Sequence, residues 1–427
     1  MNAVDLALLP DGAELSTSGR LSIAGSDLVD LAAEFGTPLF VYDEEHLRAR
    51  CREAVSGFGD GATYAAKAFL CVEMARLAVE EGLRIDVATG GELYVALAAD
   101  VPPERLIVHG NNKSEDELRR ALEVGVGRVV LDSFDEMDRI ERLVGDGMEP
   151  PRVLIRLNPG VEAHTHEYLK TGAVDSKFGF GVGSGAAAEA LRRTMSSDAF
   201  QVMGIHAHIG SQVFDTSFFE RAITELAPFV KSAAADEFSV GGGLGVAYVD
   251  GERAPTITAW SDAVHSACRR AGITSKILAE PGRSIVAGAA VTLYTVGTIK
   301  HIEGVRTYVS VDGGMSDNPR PVLYGSGYEA FLPRMAAAER PRTVRIVGKH
   351  CESGDVIVHE AAVPEELAVG DVLCTPVTGA YGHSMGSNYN MVRRPPVVFV
   401  KDGSARLVVR RETFADLVDR DVGLSDQ

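Results

Sequence analysis

The sequence predicts an α/β protein in which a (β/α)8 TIM barrel is followed by a smaller, mainly β domain. The first observation is a regular alternation of short apolar runs with longer stretches of helical period. The second is that eight such runs precede residue 288, and the third is that later strand-like runs are broken by Gly, Pro and Asp. On periodicity alone, an open doubly wound sheet remains the alternative fold.

The eight candidate barrel strands are rich in apolar and β-branched residues. They are ATYAAK (62–67), RIDVAT (84–89), RLIVHG (105–110), RVVLDS (128–133), RVLIRLNP (152–159), VMGIHAHIG (202–210), EFSVGGG (237–243) and KILAEPG (276–282). Between them lie segments such as VEMARLAVEEG and SEDELRRALEVG, whose apolar residues recur every three or four positions. We therefore predict a barrel domain over 38–287 and a β domain formed by 1–37 and 288–427.

Composition and charge exclude several classes of partner. The 427 residues are 45% hydrophobic and carry a formal net charge of -18, which suits a globular protein and would repel nucleic acid and anionic membranes. Five cysteines without CxxC spacing argue against a disulfide framework and a zinc site. The N-terminus carries acids where a signal peptide needs basic residues, and no apolar run reaches membrane-spanning length. We expect a cytoplasmic protein that binds no nucleic acid, membrane or metal.

Four chemically capable groups stand where predicted strands end, on the face where barrel enzymes carry their active sites. Lys67 ends the first strand, His208 lies near the end of the sixth, three glycines at 241–243 follow the seventh and Glu280 ends the eighth. Each alone has an ordinary explanation, such as a surface lysine or a core histidine. Together, an amine, a ring-face partner, a phosphate cradle and an acid form the set that pyridoxal phosphate requires.

Nine motifs also occur in the same order as in the diaminopimelate decarboxylases, which the chain resembles over nearly its whole length. They are YAAKAF, IDVATGGEL, HAHIGSQ, GGGLG, AEPGRSIV, DGGM, RPVLY, CESGD and GAYGHSMGSNYN. That family belongs to the alanine racemase-like, fold-type III group of pyridoxal phosphate enzymes. The resemblance implies pyridoxal 5'-phosphate as cofactor and conversion of meso-2,6-diaminopimelate to L-lysine and carbon dioxide, the last step of lysine biosynthesis.

The resemblance also implies a role for each matching position. Lys67 is implied as the Schiff-base lysine and Cys351 as the donor of a proton to the substrate carbanion. The implied cofactor-binding residues are Lys67, Asp86, His208, Ser211, Gly241, Gly242, Gly243, Glu280, Gly282, Arg283 and Tyr381. The implied substrate-binding residues are Arg283, Arg320, Tyr324, Glu352 and Tyr381. In the family, the segment with Cys351 and Glu352 reaches the neighbouring subunit, so a homodimer with shared active sites is implied, the β domain contributing to site and interface.

The substrate is less firmly determined than the cofactor. Arginine forks such as those of Arg283 and Arg320 suit a substrate with two carboxylates, because each fork donates two parallel hydrogen bonds. The family's His-Pro-Tyr is replaced here by His-Glu-Tyr at 166–168, which leaves open a related diamino acid: ornithine, lysine, arginine or a substrate of specialised metabolism. Racemisation would need a base tyrosine that the sequence does not show. A catalytically silent regulator is disfavoured because Lys67 and Cys351 are both retained.

Overall fold

The computed structural model describes residues 5–160 and 175–424, which fall into two compact units. The barrel unit comprises Arg50–Val246 and Arg253–Ser284. The β unit comprises the described parts of Met1–Ala49, Ala247–Glu252 and Ile285–Gln427. Residues 166–168, where the sequence departs from the family pattern, lie outside the described residues.

Strands and helices are numbered along the described chain. The strands are β1 (Ala13–Leu15), β2 (Leu21–Ile23), β3 (Ser26–Asp27), β4 (Leu39–Asp43), β5 (Thr63–Ala65), β6 (Arg84–Val87), β7 (Leu106–Val108), β8 (Arg128–Leu131), β9 (Arg152–Asn158), β10 (Phe180–Gly181), β11 (Gln201–His206), β12 (Glu237–Ser239), β13 (Lys276–Leu278), β14 (Ala290–Ile302), β15 (Arg306–Val311), β16 (Arg342–Val347), β17 (Val356–Val363), β18 (Val372–Pro376), β19 (Val397–Lys401) and β20 (Ser404–Val409). The α-helices are α1 (Leu28–Phe35), α2 (Glu44–Phe58), α3 (Val72–Glu80), α4 (Gly90–Ala98), α5 (Glu115–Val124), α6 (Phe134–Gly145), α7 (Ala186–Ser196), α8 (Ser217–Ser232), α9 (Ile257–Arg270), α10 (Arg283–Val286), α11 (Arg320–Tyr324) and α12 (Phe414–Val418). Within the described chain, no helix combines the length and apolar character that crossing a bilayer requires.

Eight parallel strands form the barrel in the order β5-β6-β7-β8-β9-β11-β12-β13, with β10 added beside β9. Each of the eight predicted runs overlaps one of these strands. The first and last strands meet through a parallel bridge between Ala62 and Ala279, and the N–H of Thr63 donates to the carbonyl of Ala279 at 2.9 Å. The sheet therefore closes on itself, which confirms the predicted barrel and excludes the open doubly wound sheet.

Capping residues fix short loops at the carboxyl ends of the barrel strands. The side chains of Thr89 and Ser133, each two residues beyond a strand, accept hydrogen bonds from backbone N–H groups at the starts of α4 and α6. Helix α5 begins with a capping box in which Ser114 and Glu117 each accept from the other's backbone N–H. Because these loops are short and capped, they hold the strand-end side chains in defined positions.

The amino end of the barrel is closed by ion pairs. Arg128 donates two hydrogen bonds to Glu237, at 2.8 and 2.7 Å, and both side chains are buried. Arg84 lies 3.8 Å from the same carboxylate. A buried bidentate pair of this kind adds little net stability but is costly to break. The charges of Arg84, Arg128 and Glu237 at this end are thus paired with one another.

The β unit is built around one mixed sheet with the strand order β17-β16-β15-β14-β4-β19-β20, in which β18 also pairs with β14. Its pairs are antiparallel except for β15 with β16 and β4 with β19. The apolar residues Leu39, Val41, Val291, Leu293 and Val398 are completely buried in its core. A second small sheet contains β1, β2 and β3. The prediction of a mainly β second domain is confirmed.

The compact units differ from the predicted domain boundaries at three places. Strand β4 falls within the predicted barrel range of 38–287, but it pairs with β14 and β19 in the β unit. Residues Ala247–Glu252 and 285–287 also group with the β unit. The run TPLFVYD has the same apolar texture as a barrel strand, so only the choice of partner strand separates it from the barrel.

Candidate active site

Glu280 follows β13 at the carboxyl end of the barrel, and its side chain is only 4% exposed. One carboxylate oxygen accepts a 2.8 Å hydrogen bond from Ser239, and the other lies 3.1 Å from Nε2 of His206. Burial by itself raises the pKa of Glu280, but interactions with His206, His109 and Ser239 outweigh burial and hold this pKa well below its usual value. Glu280 is therefore a buried carboxylate that stays ionised.

Asp86, on β6, has the opposite electrostatic balance. Burial and the negative charge of Glu280 raise the pKa of Asp86 well above its usual value, although Lys67 opposes the shift. His109 lies between the two acids, with Nε2 3.7 Å from an oxygen of Asp86 and 3.6 Å from an oxygen of Glu280. The environment thus moves the pKa values of the two acids apart, a division that is common where proton chemistry occurs.

Lys67 lies in a short 3₁₀ turn, Ala66–Ala68, directly after β5. Its two neighbours in that turn are buried, while Lys67 itself is exposed within this chain. The positive charge of Lys67 is among the influences on the pKa values of both Asp86 and His208. The amine is accordingly near the acidic groups and accessible to an aldehyde, as covalent attachment of a cofactor requires.

His208 is tied to the glycine turn that follows β12. Its Nδ1 accepts a 3.1 Å hydrogen bond from the N–H of Gly242. Burial, followed by the positive charges of Lys67 and Arg156, lowers the pKa of His208 well below its usual value. The imidazole is therefore neutral and fixed through one nitrogen, which suits a flat contact with an aromatic ring.

The three glycines at 241–243 have no room for side chains. A Cβ would lie 2.3 Å from the carbonyl oxygen of Ala207 at Gly241, 2.2 Å from that of Glu280 at Gly242, and 2.3 Å from that of Gly210 at Gly243. Gly241 and Gly243 also have positive φ values of 69° and 111°. The N–H groups of Gly241 and Gly242 donate to Ser239 and His208. These two bonds do not involve the N–H of Gly243, which could therefore donate to a phosphate.

Two further predicted cofactor residues meet beside this turn. Arg283, at the start of α10, is buried and donates a 2.9 Å hydrogen bond to the hydroxyl of Ser211. Gly282 packs against Ala65, whose carbonyl oxygen and Cβ would each lie 2.9 Å from an added Cβ. An arginine and a hydroxyl held together in this way form a suitable anchor for a phosphate or a carboxylate.

Arg320, in the β unit, is buried and lies among tyrosines. Its Nη1 donates a 2.7 Å hydrogen bond to the hydroxyl of Tyr328, and its guanidinium carbon lies 4.1 Å from the ring centroid of Tyr248. Burial lowers the pKa of Arg320, but Tyr248, Tyr328 and Tyr381 outweigh burial and raise this pKa overall. In the described part of the β unit, no carboxylate pairs with this guanidinium, and its Nε lacks a hydrogen bond. Tyr324, at the end of the same helix, is partly exposed.

Tyr381 is close enough to Arg320 to affect the pKa of that arginine. Its backbone has a φ of 63°, in the left-handed region that a tyrosine seldom adopts. Such a conformation costs free energy, and it is found most often where a side chain must point in one required direction.

Cys351 and Glu352 occupy an exposed turn of the β unit. The N–H of Cys351 donates to the side-chain oxygen of Asn390 at 3.0 Å, and the hydroxyl of Tyr389 donates to the Glu352 carboxylate at 3.3 Å. All five cysteines lie in the described residues as free thiols, and Cys351 is the only exposed one. Both predicted site residues of this turn are therefore open to solvent in the single chain.

A buried carboxylate holds this turn from behind. The two oxygens of Asp355 accept hydrogen bonds from the N–H groups of Met315 at 2.7 Å and His350 at 2.9 Å. His350 is also fixed by a 2.9 Å hydrogen bond between its Nε2 and the hydroxyl of Ser316. The main chain at 350–355 is thus anchored, whereas the two side chains at its tip are exposed.

Each unit therefore brings its own share of the predicted residues together. The residues gathered in the barrel unit are Lys67, Asp86, His208, Ser211, Gly241, Gly242, Gly243, Glu280, Gly282 and Arg283. Those in the β unit are Arg320, Tyr324, Cys351, Glu352 and Tyr381. Sequence reasoning missed His109, His206 and Arg156 in the barrel unit, and Tyr248 and Tyr328 in the β unit. The two histidines follow the strand-end rule that singled out Lys67, so that rule could have found them.

The residues of the barrel unit fit pyridoxal phosphate. The ionised Glu280 suits a protonated ring nitrogen, the neutral His208 suits the ring face, and the glycine turn leaves space and an N–H group for the phosphate. The ligand atoms of His109, His206 and Glu280 also lie within 4.8 Å of one another, a spacing that could hold a metal ion. The pairing of His206 with Glu280 at hydrogen-bond distance accounts for part of this cluster without an ion.

Comparison with known proteins agrees with this fit. Residues 44–287 match the family model for the pyridoxal binding domain of pyridoxal-dependent decarboxylases. The chain is 47% identical over 426 residues to the diaminopimelate decarboxylase of Mycobacterium tuberculosis, with 95% of each chain covered. It is 44% identical over 422 residues to that of Bacillus subtilis (strain 168), with the same coverage of each chain.

A solved structure shows the same likeness in three dimensions. The diaminopimelate decarboxylase of M. jannaschii, in complex with L-lysine, matches with a TM-score of 0.88 and 32% identity, covering 97% of this chain and 98% of that one. High coverage on both sides means that the match includes residues of both units. The chain therefore belongs to the diaminopimelate decarboxylases, within the pyridoxal-dependent decarboxylase family, and its cofactor is pyridoxal phosphate.

Proposed function

We propose that this protein removes carbon dioxide from the D-configured centre of meso-2,6-diaminopimelate to give L-lysine, the last step of lysine biosynthesis. The observation that carries the substrate assignment is the burial of Arg320 without a carboxylate partner in the described part of the β unit. A buried cation without an anionic partner is costly, although the surrounding tyrosines offset part of that cost. The carboxylate at the far end of diaminopimelate would pair with it in a bidentate hydrogen bond.

The same observation disfavours the alternative substrates. Ornithine, lysine and arginine each carry one carboxylate, so none has a second carboxylate for Arg320 to pair with. A site built to pair a buried charge rejects an analogue that leaves the charge unpaired more strongly than an apolar pocket rejects a misfit. The M. jannaschii relative was solved in complex with L-lysine, which in the reaction proposed here is the product and not the substrate.

The barrel residues would prepare the reaction. Pyridoxal phosphate, when bound, supplies a protonated ring that withdraws the electron pair left by departing carbon dioxide. In our proposal the amine of Lys67 attaches the aldehyde, and Glu280 keeps the proton on the ring nitrogen. The raised pKa of Asp86 favours its neutral form, which would not compete for that proton as a second negative charge would. His208 would contact the ring face, while Gly243, Ser211 and Arg283 would hold the phosphate.

The residues of the β unit would act on the substrate. Arg320, Tyr324 and Tyr381 would hold it in place, and Glu352 would accept hydrogen bonds from its distal amino group. Cys351 would then deliver a proton to the carbon that has lost carbon dioxide. The exposed position of this thiol within one chain supports a further proposal, in which the turn completes the site of a neighbouring subunit. The protein is accordingly proposed to be a cytoplasmic homodimer with shared active sites.

A substrate panel tests the proposed reaction. Purified protein with pyridoxal phosphate is incubated with meso-, LL- and DD-diaminopimelate, ornithine, lysine and arginine, and carbon dioxide and amine products are measured. We expect carbon dioxide together with L-lysine from the meso isomer, and little from the monocarboxylate amino acids. Faster release from ornithine or arginine than from meso-diaminopimelate would contradict the proposal.

Mixing two inactive variants tests the shared site. Lys67→Ala and Cys351→Ala chains each lack one residue, but a mixed dimer would contain one site with both residues intact. After random subunit exchange, we expect recovery of about a quarter of wild-type activity, because half of the dimers are mixed and each has one good site. If subunit exchange is demonstrated by mass and activity stays at the level of the separate variants, the proposal of shared sites is wrong.

A further inference from the structure

Two buried histidines that have no role in the proposed reaction lie against Glu280. His206 is the last residue of β11, and His109 follows β7 directly. Their rings are 5.0 Å apart and inclined at 69°, which is an edge-to-face arrangement. They belong to different strands of the barrel, so the closed sheet, and not local sequence, brings them to the same carboxylate.

The contacts to Glu280 fix both of its oxygens. His206 Nε2 lies 3.1 Å from Oε2, the Ser239 hydroxyl donates to Oε1 at 2.8 Å, and His109 Nε2 lies 3.6 Å from Oε1. The side chains of His206 and Glu280 are 1% and 4% exposed, so water does not compete for these contacts. A carboxylate held at both oxygens cannot rotate freely about its last bond.

His206 bears an energetic cost in this position. Because its Nε2 faces a carboxylate, this nitrogen carries the hydrogen, and its buried Nδ1 has no hydrogen-bond partner among the described residues. An unsatisfied buried polar atom costs about 1–3 kcal/mol. A leucine would fill similar space without that cost, so packing alone does not explain a histidine at this position.

We propose that His206, assisted by His109, is a positioning residue that holds the Glu280 carboxylate in the one orientation that suits the ring nitrogen of the cofactor. The proposal rests on the role proposed above for Glu280. The two histidines contact the carboxylate from within the barrel end and leave its remaining lone pairs for the ring N–H. His206 does not touch substrate or cofactor in this scheme, and it acts through Glu280.

The surrounding groups favour a neutral His109. The groups that interact with this cluster are Lys67, Asp86, Lys113, Arg156 and His208. Burial lowers the pKa of His109 well below its usual value. The positive charges of Arg156 and Lys113 also lower this pKa, whereas the negative charge of Glu280 raises it. Nε2 of His109 makes no hydrogen bond among the described residues, so His109 assists through its 3.6 Å contact with Oε1 of Glu280, and His206 is the donor.

Two substitutions at one position separate donation from packing. His206→Gln places an amide N–H near the position of Nε2, whereas His206→Leu fills the space without a donor. The readouts are the dissociation constant of pyridoxal phosphate from the apoprotein, measured without substrate, and kcat and KM for meso-diaminopimelate. For His206→Leu we expect about tenfold weaker cofactor binding and a kcat lower by about tenfold to a hundredfold, with KM within about twofold, as for loss of a hydrogen bond to a charged group. His206→Gln should stay within about threefold of wild type in each.

A double variant shows whether His206 acts through Glu280. In a Glu280→Gln background, His206→Leu should cause no further weakening of cofactor binding, because the interaction that it removes is already lost. If His206→Leu does not fold, His206→Asn serves in its place, since its shorter amide does not reach Glu280.

Several results would overturn the inference. The first is equally weakened cofactor binding in folded His206→Gln and His206→Leu proteins, and the second is unchanged cofactor binding in both. The third is full additivity of the effects of His206→Leu and Glu280→Gln on cofactor binding. Stoichiometric zinc that depends on His109 and His206 in the purified protein would replace positioning by metal binding. Cofactor binding is measured without substrate. A wrong substrate assignment would therefore change only kcat and KM, and the dissociation constant of the cofactor would still decide the inference.

Discussion

The barrel unit and the β unit contribute residues of opposite character to the proposed site. In the barrel unit, Glu280 and Asp86 are buried, and their pKa values are shifted in opposite directions by the groups around them. In the β unit, Cys351 and Glu352 are exposed, and only the backbone behind them is anchored. The barrel unit of one chain therefore brings together the groups proposed to surround the cofactor, whereas the proposed proton donor, Cys351, is exposed to solvent.

The difference shows which part of the chemistry a single fold can prepare by itself. The acids Glu280 and Asp86 at the carboxyl end of the barrel are buried, so electrostatic interactions there are weakly screened by water. Charges at the amino end, such as Arg128 with Glu237, are paired with each other and are left with a structural role. An exposed thiol is neither buried nor paired with another charged group. It therefore needs a covering surface before it can deliver a proton selectively.

The largest expected effect tests the barrel side. Lys67→Ala removes the amine that would bind the cofactor aldehyde, so we expect turnover to fall to background and the visible absorbance of the lysine-bound cofactor to disappear. Lys276→Ala, which removes a lysine paired with Asp60 at the other end of the barrel, is the control and should retain both. Activity in pure Lys67→Ala protein would contradict the assignment of this lysine.

The next effect tests the exposed side. Cys351→Ser replaces a thiol by a much weaker acid of similar shape, so we expect kcat to fall by about a hundredfold while KM stays within about threefold. Cys268→Ser, at a buried thiol in the barrel unit, serves as the control. Steady-state kinetics with meso-diaminopimelate measure both. A fall in kcat of less than about twofold would mean that another group delivers the proton.

A smaller effect should follow from loosening the turn without touching its tip. Asp355→Asn keeps the shape of the side chain but replaces one of its two acceptor oxygens by an NH₂ group. One of the two backbone N–H groups that donate to Asp355 would then lose its acceptor. We expect kcat to fall by about tenfold and amide hydrogen exchange across 349–355 to become faster. Asp371→Asn, which disturbs a similar pair of contacts to Ala368 and Arg334, is the matched control. Equal exchange rates across the turn in the two variants would count against the anchor.

The smallest effect concerns stability and not activity. In the β unit, burial raises the pKa of Asp317 to about 7 although Tyr294 and Gly314 donate to it. Because the folded state then binds a proton that the unfolded state has lost, stability should fall as pH rises from about 4 to about 7, by at most about 1.4 kcal/mol per pH unit.

Asp317→Asn mimics the protonated acid and should remove this slope. Urea unfolding at several pH values between about 4 and 8 measures it in both proteins. Parallel pH profiles for the two proteins would show that Asp317 does not titrate in this range.

Much of the barrel could be predicted from the sequence because its rules are local. Each of the eight runs became a strand, and the rule that function lies at strand ends singled out Lys67, His208 and Glu280. The strand β4 could not be assigned in this way, because its apolar pattern fits either sheet and pairing is decided by residues far along the chain. Tyr248 was missed for the same reason, since it is separated from Arg320 by about seventy residues.

The sequence by itself determined the fold class and the cofactor family and predicted the reactive side chains, because period, strand ends and motif order are properties of neighbouring residues. Only the tertiary structure decided which of those side chains are charged, which are buried and what holds them. The pKa values of Glu280 and Asp86 depend on groups from several strands, which meet only when the sheet closes. The turn with Cys351 likewise owes its position to Asp355, and its exposure to the absence of any cover within the described chain.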